Sequence, residues 1–219
     1  MRDLAETKKK MGQAIKSHFS SLTLPGGVSA KVSTKMLLEA KLESGADLLI
    51  ACADFKGGRA PGYYGLYWIF SIGGGVIFDA MAACGLSEHP GFQPPIIFTC
   101  TSHYLGESAH FEVGPNADVD AIASAICQSI RTHAVPIIEA FDSRPNDALD
   151  YVLAGRPGSV RNPFTTCIIL MHLGNRRDRL EEIIKVASTA TKGFHDFKGA
   201  ADPIAQIVEP LAKWFESQR

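Results

Sequence analysis

Two periodicities divide the chain. Over residues 2–22, Leu4, Met11, Ile15, Phe19 and Leu22 recur at spacings of seven, four, four and three, one stripe of an amphipathic helix. Pro25-Gly26-Gly27 ends it. From residue 34 the period drops to two. Met36, Leu38, Ala40 and Leu42 alternate with Lys35, Leu37, Glu39 and Lys41, which predicts a strand with one apolar and one mostly charged face. Ser44-Gly45 supplies a turn into Asp47–Phe55, an apolar run suited to a more central strand. After the loop 56–62, the segment YYGLYWIFSI sets Tyr64, Leu66, Trp68, Phe70 and Ile72 on one face, predicted to be buried.

Gly73 to Gly75 interrupt this pattern, and residues 76–84 fit either a fourth strand or a short helix. Residues 87–95 are a loop by composition, and residues 95–105 regain strand character. Gly106-Glu107 has the form of a two-residue hairpin turn, with residues 109–113 as the returning strand. Beyond Gly114-Pro115 the pattern is helical. A stripe through Val119, Ile122, Ala123, Ile126, Cys127 and Ile130 begins at the capping candidates Asn116 and Asp118, and Pro136 must break or kink it. A short helix follows Arg144-Pro145. Asn162-Pro163 caps a helix that runs to Gly174 at the C′ position, Asn175 starts its antiparallel partner, and Asp202-Pro203 caps a terminal helix bent at Pro210.

Strands collected first and helices afterwards define an α+β class: an N-terminal helix, an antiparallel meander of about five or six strands, then about five helices. The expected organisation is a single compact domain over 1–219, with a sheet half to about 114 and a helical half from about 115. A length of 219 residues lets such a chain bury a core without staples. Its 22 basic and 23 acidic residues leave a net charge of -1, with no field to draw nucleic acid or an anionic membrane. Five cysteines, spaced 16 to 40 residues apart without a C-x-x-C pair, fit a reducing, cytoplasmic setting better than a disulfide framework. No stretch is long enough for a membrane span, and the basic N-terminal residues lack the apolar run of a secretory signal.

Candidate chemistry is sparse. If the 106–107 turn forms, His103 faces His110 and Thr101 faces Glu112, all on the wetter side of the hairpin. Two imidazoles with Cβ atoms about 5 Å apart and a nearby carboxylate match the donors a divalent metal accepts. The same residues also fit a partly solvated histidine pair with no metal. Loop 56–62 could present backbone N–H groups to an anion beside Lys56 and Arg59, or serve simply as a glycine-rich turn; it lacks P-loop spacing. Gly73-Gly74-Gly75 lacks the glycine and the βαβ context of a dinucleotide fingerprint. No nucleophile elbow occurs, and the cysteines fit core positions. Tyr63 and Tyr67, opposite the Trp68 face, are candidates for a partner surface.

The order of elements, together with the segment Cys167-Ile168-Ile169-Leu170-Met171-His172-Leu173-Gly174-Asn175, resembles uncharacterised bacterial α+β domains of the toxin-immunity-like type. The resemblance covers most of residues 1–190 in element order, and the chain differs by an extra terminal helix and a longer segment from Gly73 to Pro95. It offers no agreed catalytic residues to carry over, and no catalytic set assembles in the sequence, which points to a module that docks a protein partner, immunity-like in kind, and needs no cofactor. The function expected is therefore a non-enzymatic intracellular binding protein. The alternative is a metal-dependent small-molecule enzyme centred on His103, His110 and Glu112.

Overall fold

The computed structural model describes residues 4–55, 62–86, 96–105 and 111–219. The fold is α+β, with an N-terminal helix, an antiparallel sheet and a succession of C-terminal helices. Among the described residues the sheet holds seven strands in the order β1-β2-β3-β4-β5-β7, with β6 also paired to β4. These are β1 Ala30–Ser33, β2 Leu37–Lys41, β3 Ala46–Phe55, β4 Tyr64–Gly74, β5 Ile96–Thr101, β6 Phe111–Val113 and β7 Ser159–Val160. The close-packed residues fall into two compact units.

The first unit comprises residues 1–43, 47–72 and 99–138. Its helix α1, Leu4–Ser20, buries Met11, Ile15 and Phe19 of the predicted stripe, each at 1% exposure or less. Burying a side chain of this size is worth about 1.5–3 kcal/mol. Strand β2 pairs with β3 with Leu38 opposite Ile50 and Glu39 opposite Leu49, so the period of two survives as a buried and an open face. Tyr64, Leu66, Trp68, Phe70 and Ile72 of β4 are buried as expected. Helix α3, Val119–Ser129, packs against α1, and Ala123, Ile126 and Cys127 of its stripe are buried. Asp118 caps α3 by accepting from the Ala121 amide at 3.0 Å.

Two strand assignments change. Strand β1 has no counterpart in the predicted pattern; it forms a hairpin with β2 through Met36, whose left-handed φ of 60° is unusual for a side chain of that size. The hairpin turn predicted at Gly106-Glu107 lies outside the described residues, but its expected register is not found. The chain leaves β5 at Thr101 into a 3-10 turn, Ser102–Leu105, and β6 then pairs with β4, placing Glu112 opposite Gly65 where Thr101 was expected. This pairing gives Tyr64, Gly65 and Leu66 at the start of β4 ladder partners in Val113, Glu112 and Phe111. Further along β4, the Ser71 and Thr99 hydroxyls meet at 2.9 Å.

The second unit comprises residues 44–46, 73–98 and 139–219. The ambiguous stretch after Gly73 is helical: α2, Gly75–Ala83. At its start Gly75 has φ +66°, and a Cβ there would lie 2.9 Å from the Ala46 amide nitrogen, so both conformation and space demand glycine. The centre of this unit is α6, Pro163–Leu173, apolar all round and buried from Pro163 to Met171. Around it pack α2, α5 (Pro145–Leu153), α7 (Leu180–Thr189), α8 (His195–Gly199) and α9 (Glu209–Ser217).

The ends of α6 differ from expectation in an instructive way. Asn162 does not cap it; φ is +44° there, and its side chain donates to the Leu86 carbonyl at 3.2 Å. The cap comes from Asp196 of α8, whose carboxylate accepts from the Phe164 and Thr165 amides at 3.1 and 2.8 Å. A carboxylate at that terminus also complements the helix dipole. At the far end the left-handed residue is Asn175, not Gly174. Gly174 leaves room for the Asn146 side chain, whose Oδ1 a Cβ there would meet head-on.

Prolines 136 and 210 are absorbed by the same device. Each is the second residue after a five-residue π-turn, Ile130–Ala134 leading into α4 (Val135–Ser143) and Ile204–Val208 leading into α9. A proline removes the N–H that would bond four residues back and crowds the carbonyl there. Widening the preceding turn, with Val135 N–H donating to Ile130 O and Glu209 N–H to Ile204 O, lets the helix continue where a break or kink was expected.

Candidate functional site

A cavity of about 350 Å³ opens in the first unit. That volume lies at the lower end of the range for small-molecule pockets. Trp68 of β4, Ser102 and Leu105 of the 3-10 turn, and Phe111 of β6 line it together with one face of α3 and its π-turn, Ala125, Gln128, Ser129, Thr132 and His133. These last five positions follow the i, i+3, i+4, i+7, i+8 rhythm of a helix face. The stripe beside them, Ala123, Ile126, Cys127 and Ile130, is spent on the core. The π-turn that accommodates Pro136 thus also lies in the cavity wall, through Thr132 and His133.

Hydrogen bonds tie the wall to the floor. The indole Nε1 of Trp68, a side chain with no exposed surface, donates to Ser129 Oγ at 2.9 Å. Gln128 Nε2 donates to Thr132 Oγ1 at 3.4 Å. Gln128 and Thr132 are exposed at the mouth and Ser129 is half-buried. The lining combines aromatic and aliphatic surface with hydroxyl, amide and imidazole groups, and among its described residues there is no Lys, Arg, Asp or Glu.

The residues singled out from the sequence lie elsewhere. His103 is exposed in the 3-10 turn, its ring 4.8 Å from that of Tyr67. Glu112 sits opposite Gly65 on β6, and His110 lies outside the described residues. The proposed set His103, His110 and Glu112 is therefore not assembled by described residues, among which no group of three His, Cys, Asp or Glu side chains is placed to hold a metal. Lys56 and Arg59 also lie outside the described residues. Tyr63 is 40% exposed and packs close to Gly114, whereas Tyr67 is half-buried beneath His103.

The five thiols are free. Burial pushes all of them up, Cys100 and Cys127 each to about 11, so they stay protonated near neutrality and are poor nucleophiles. In the second unit, Arg179 bridges Asp150 of α5 and Glu182 of α7, an arrangement that joins helices.

The cavity residues of α3 were not singled out from the sequence, yet a signal was present. From Ala121 to Ile130 the helix carries no charged residue, although one of its faces is not core. Solvated helix faces ordinarily carry charge, and α1 with Lys8, Lys9 and Lys10 is the nearby contrast. No known protein family, curated protein or solved structure matches the chain.

Proposed function

We propose that the protein acts by binding, without catalysing a reaction, and that the cavity between Trp68 and α3 is its recognition site. The observation that carries this is the composition of the wall: apolar surface with neutral hydrogen-bonding groups, the pattern of sites that hold a small molecule in a fixed orientation. Among the described lining residues the one titratable side chain is His133.

The reading is tested on protein purified from its own host. Native mass spectrometry is expected to find an extra mass that denaturation releases unchanged, and Ala125→Phe, which fills the cavity from an exposed helix position, is expected to abolish it. A compound chemically altered on incubation with the protein, or an equal load in the filled variant, would overturn the proposal.

A protein partner is the second reading, and an immunity-like role would be its special case. It is favoured by the exposure of Leu49, Tyr63 and Tyr104, at 37%, 40% and 56%, all in the first unit.

A further inference from the structure

On the basis of that binding role, we infer that the cavity selects an uncharged planar heterocycle whose edge carries an N–H beside a C=O, the lactam pattern. The hydrogen bonds of the wall leave a defined set of groups to offer. Ser129 Oγ accepts from the Trp68 indole at 2.9 Å, so the serine proton is left to donate. Thr132 Oγ1 accepts from Gln128 Nε2 at 3.4 Å, so the threonine proton is also left to donate and Gln128 Oε1 is left to accept. One helix face thus offers an acceptor and two donors within four residues of one another. An edge with its own acceptor and donor matches both kinds of group; an ether or a ketone, which only accepts, matches one kind.

The remainder of the wall limits the ligand further. Leu105 and Phe111, both half-buried, supply apolar surface for a ring, and the fully buried Trp68 forms the floor. Among the described lining residues there is no Lys or Arg, so a phosphate or carboxylate entering between them would lose water without gaining a counter-charge from them. Charged nucleotides and amino acids are disfavoured, and the neutral ring is preferred.

Uracil is a suitable probe, titrated into the full chain while the indole N–H resonances of its two tryptophans are followed. It is expected to move the Trp68 resonance and leave Trp214, in the second unit, unmoved. N,N′-dimethylated uracil keeps the ring and both carbonyls but has no donor, and uridine monophosphate adds charge; both are expected to bind at least about tenfold more weakly. Gln128→Leu and Thr132→Val, at exposed positions that leave the core untouched, should each weaken uracil about five- to tenfold. Equal affinity for the dimethylated ring would overturn selection of a lactam edge while leaving a binding cavity in place. Tighter binding of the monophosphate would overturn the neutral class. If no probe moves Trp68, the inference is lost, and the co-purification experiment with Ala125→Phe decides the binding role separately.

Discussion

Helices α3 and α6 have the same length, eleven residues, and opposite fates. Helix α6 is apolar on every side and buried along nine consecutive residues, Pro163 to Met171, so all of its surface serves the stability of the second unit. Helix α3 buries a stripe and turns its neutral polar face to a cavity. A helix enclosed on all sides has no face left to offer a ligand, and a helix with one enclosed face does. The contrast places stability in one element and recognition in the other, and substitutions can separate the two.

The largest effect is expected in α6. Phe164 has no exposed surface and its ring lies 4.8 Å from that of Phe197. Phe164→Ala removes that packing and leaves a void, costing about 3–5 kcal/mol. Ala125→Ser, on the open face of α3, is expected to stay within about 0.5 kcal/mol. Urea denaturation of both variants checks the pair, and comparable losses would erase the distinction between the helices.

Ser129→Ala falls between these limits and probes the boundary between the two faces of α3. The Trp68 N–H, buried with its ring, would lose its acceptor, and an unsatisfied buried donor costs about 1–3 kcal/mol. The same melts measure it. A loss no larger than that of Ala125→Ser would mean that Ser129 belongs to the cavity alone and does not anchor the sheet to α3.

Much of this division was legible in the sequence. The stripes of α1 and α3, the buried face of β4 and the Asp118 cap follow from spacing and from local hydrogen bonding, which depend on residues a few positions apart. Tertiary choices were not legible. The cap of α6 comes from Asp196, more than thirty residues downstream of the helix start, and the pairing of β6 with β4 depends on which backbone groups stood unpaired across the sheet. Gly174 does not adopt the left-handed turn its position in the sequence suggests; that falls to Asn175, and Gly174 leaves room beside Asn146. The cavity was missed for a similar reason: a polar helix face records that it is not core, and only the fold records that Trp68 stands opposite it.

The smallest expected effect concerns the end of α6, where its enclosure meets solvent. His172 lies in the last turn, its ring 4.8 Å from Phe215 of α9 and nearly parallel to it at 13°, with a buried Nε2 that has no hydrogen-bond partner. Burial pushes its pKa below the ordinary value of 6.5, and Arg177 and Arg219 push the same way against an opposing pull from Glu216. The desolvation outweighs the favourable dipole at a helix C-terminus. An unfolded chain therefore takes up this proton at a higher pH than the folded one does. Above 6.5 neither state is protonated here and His172 contributes no pH dependence. As the pH falls below 6.5, the unfolded state gains the proton first, so stability declines until the folded state also accepts it, and then levels off. His172→Gln is expected to flatten that decline while leaving stability above 6.5 changed only by lost packing. Denaturation midpoints across the window measure the slope, and a decline of the same steepness in the variant would show that the closed end of α6 does not hold this imidazole neutral.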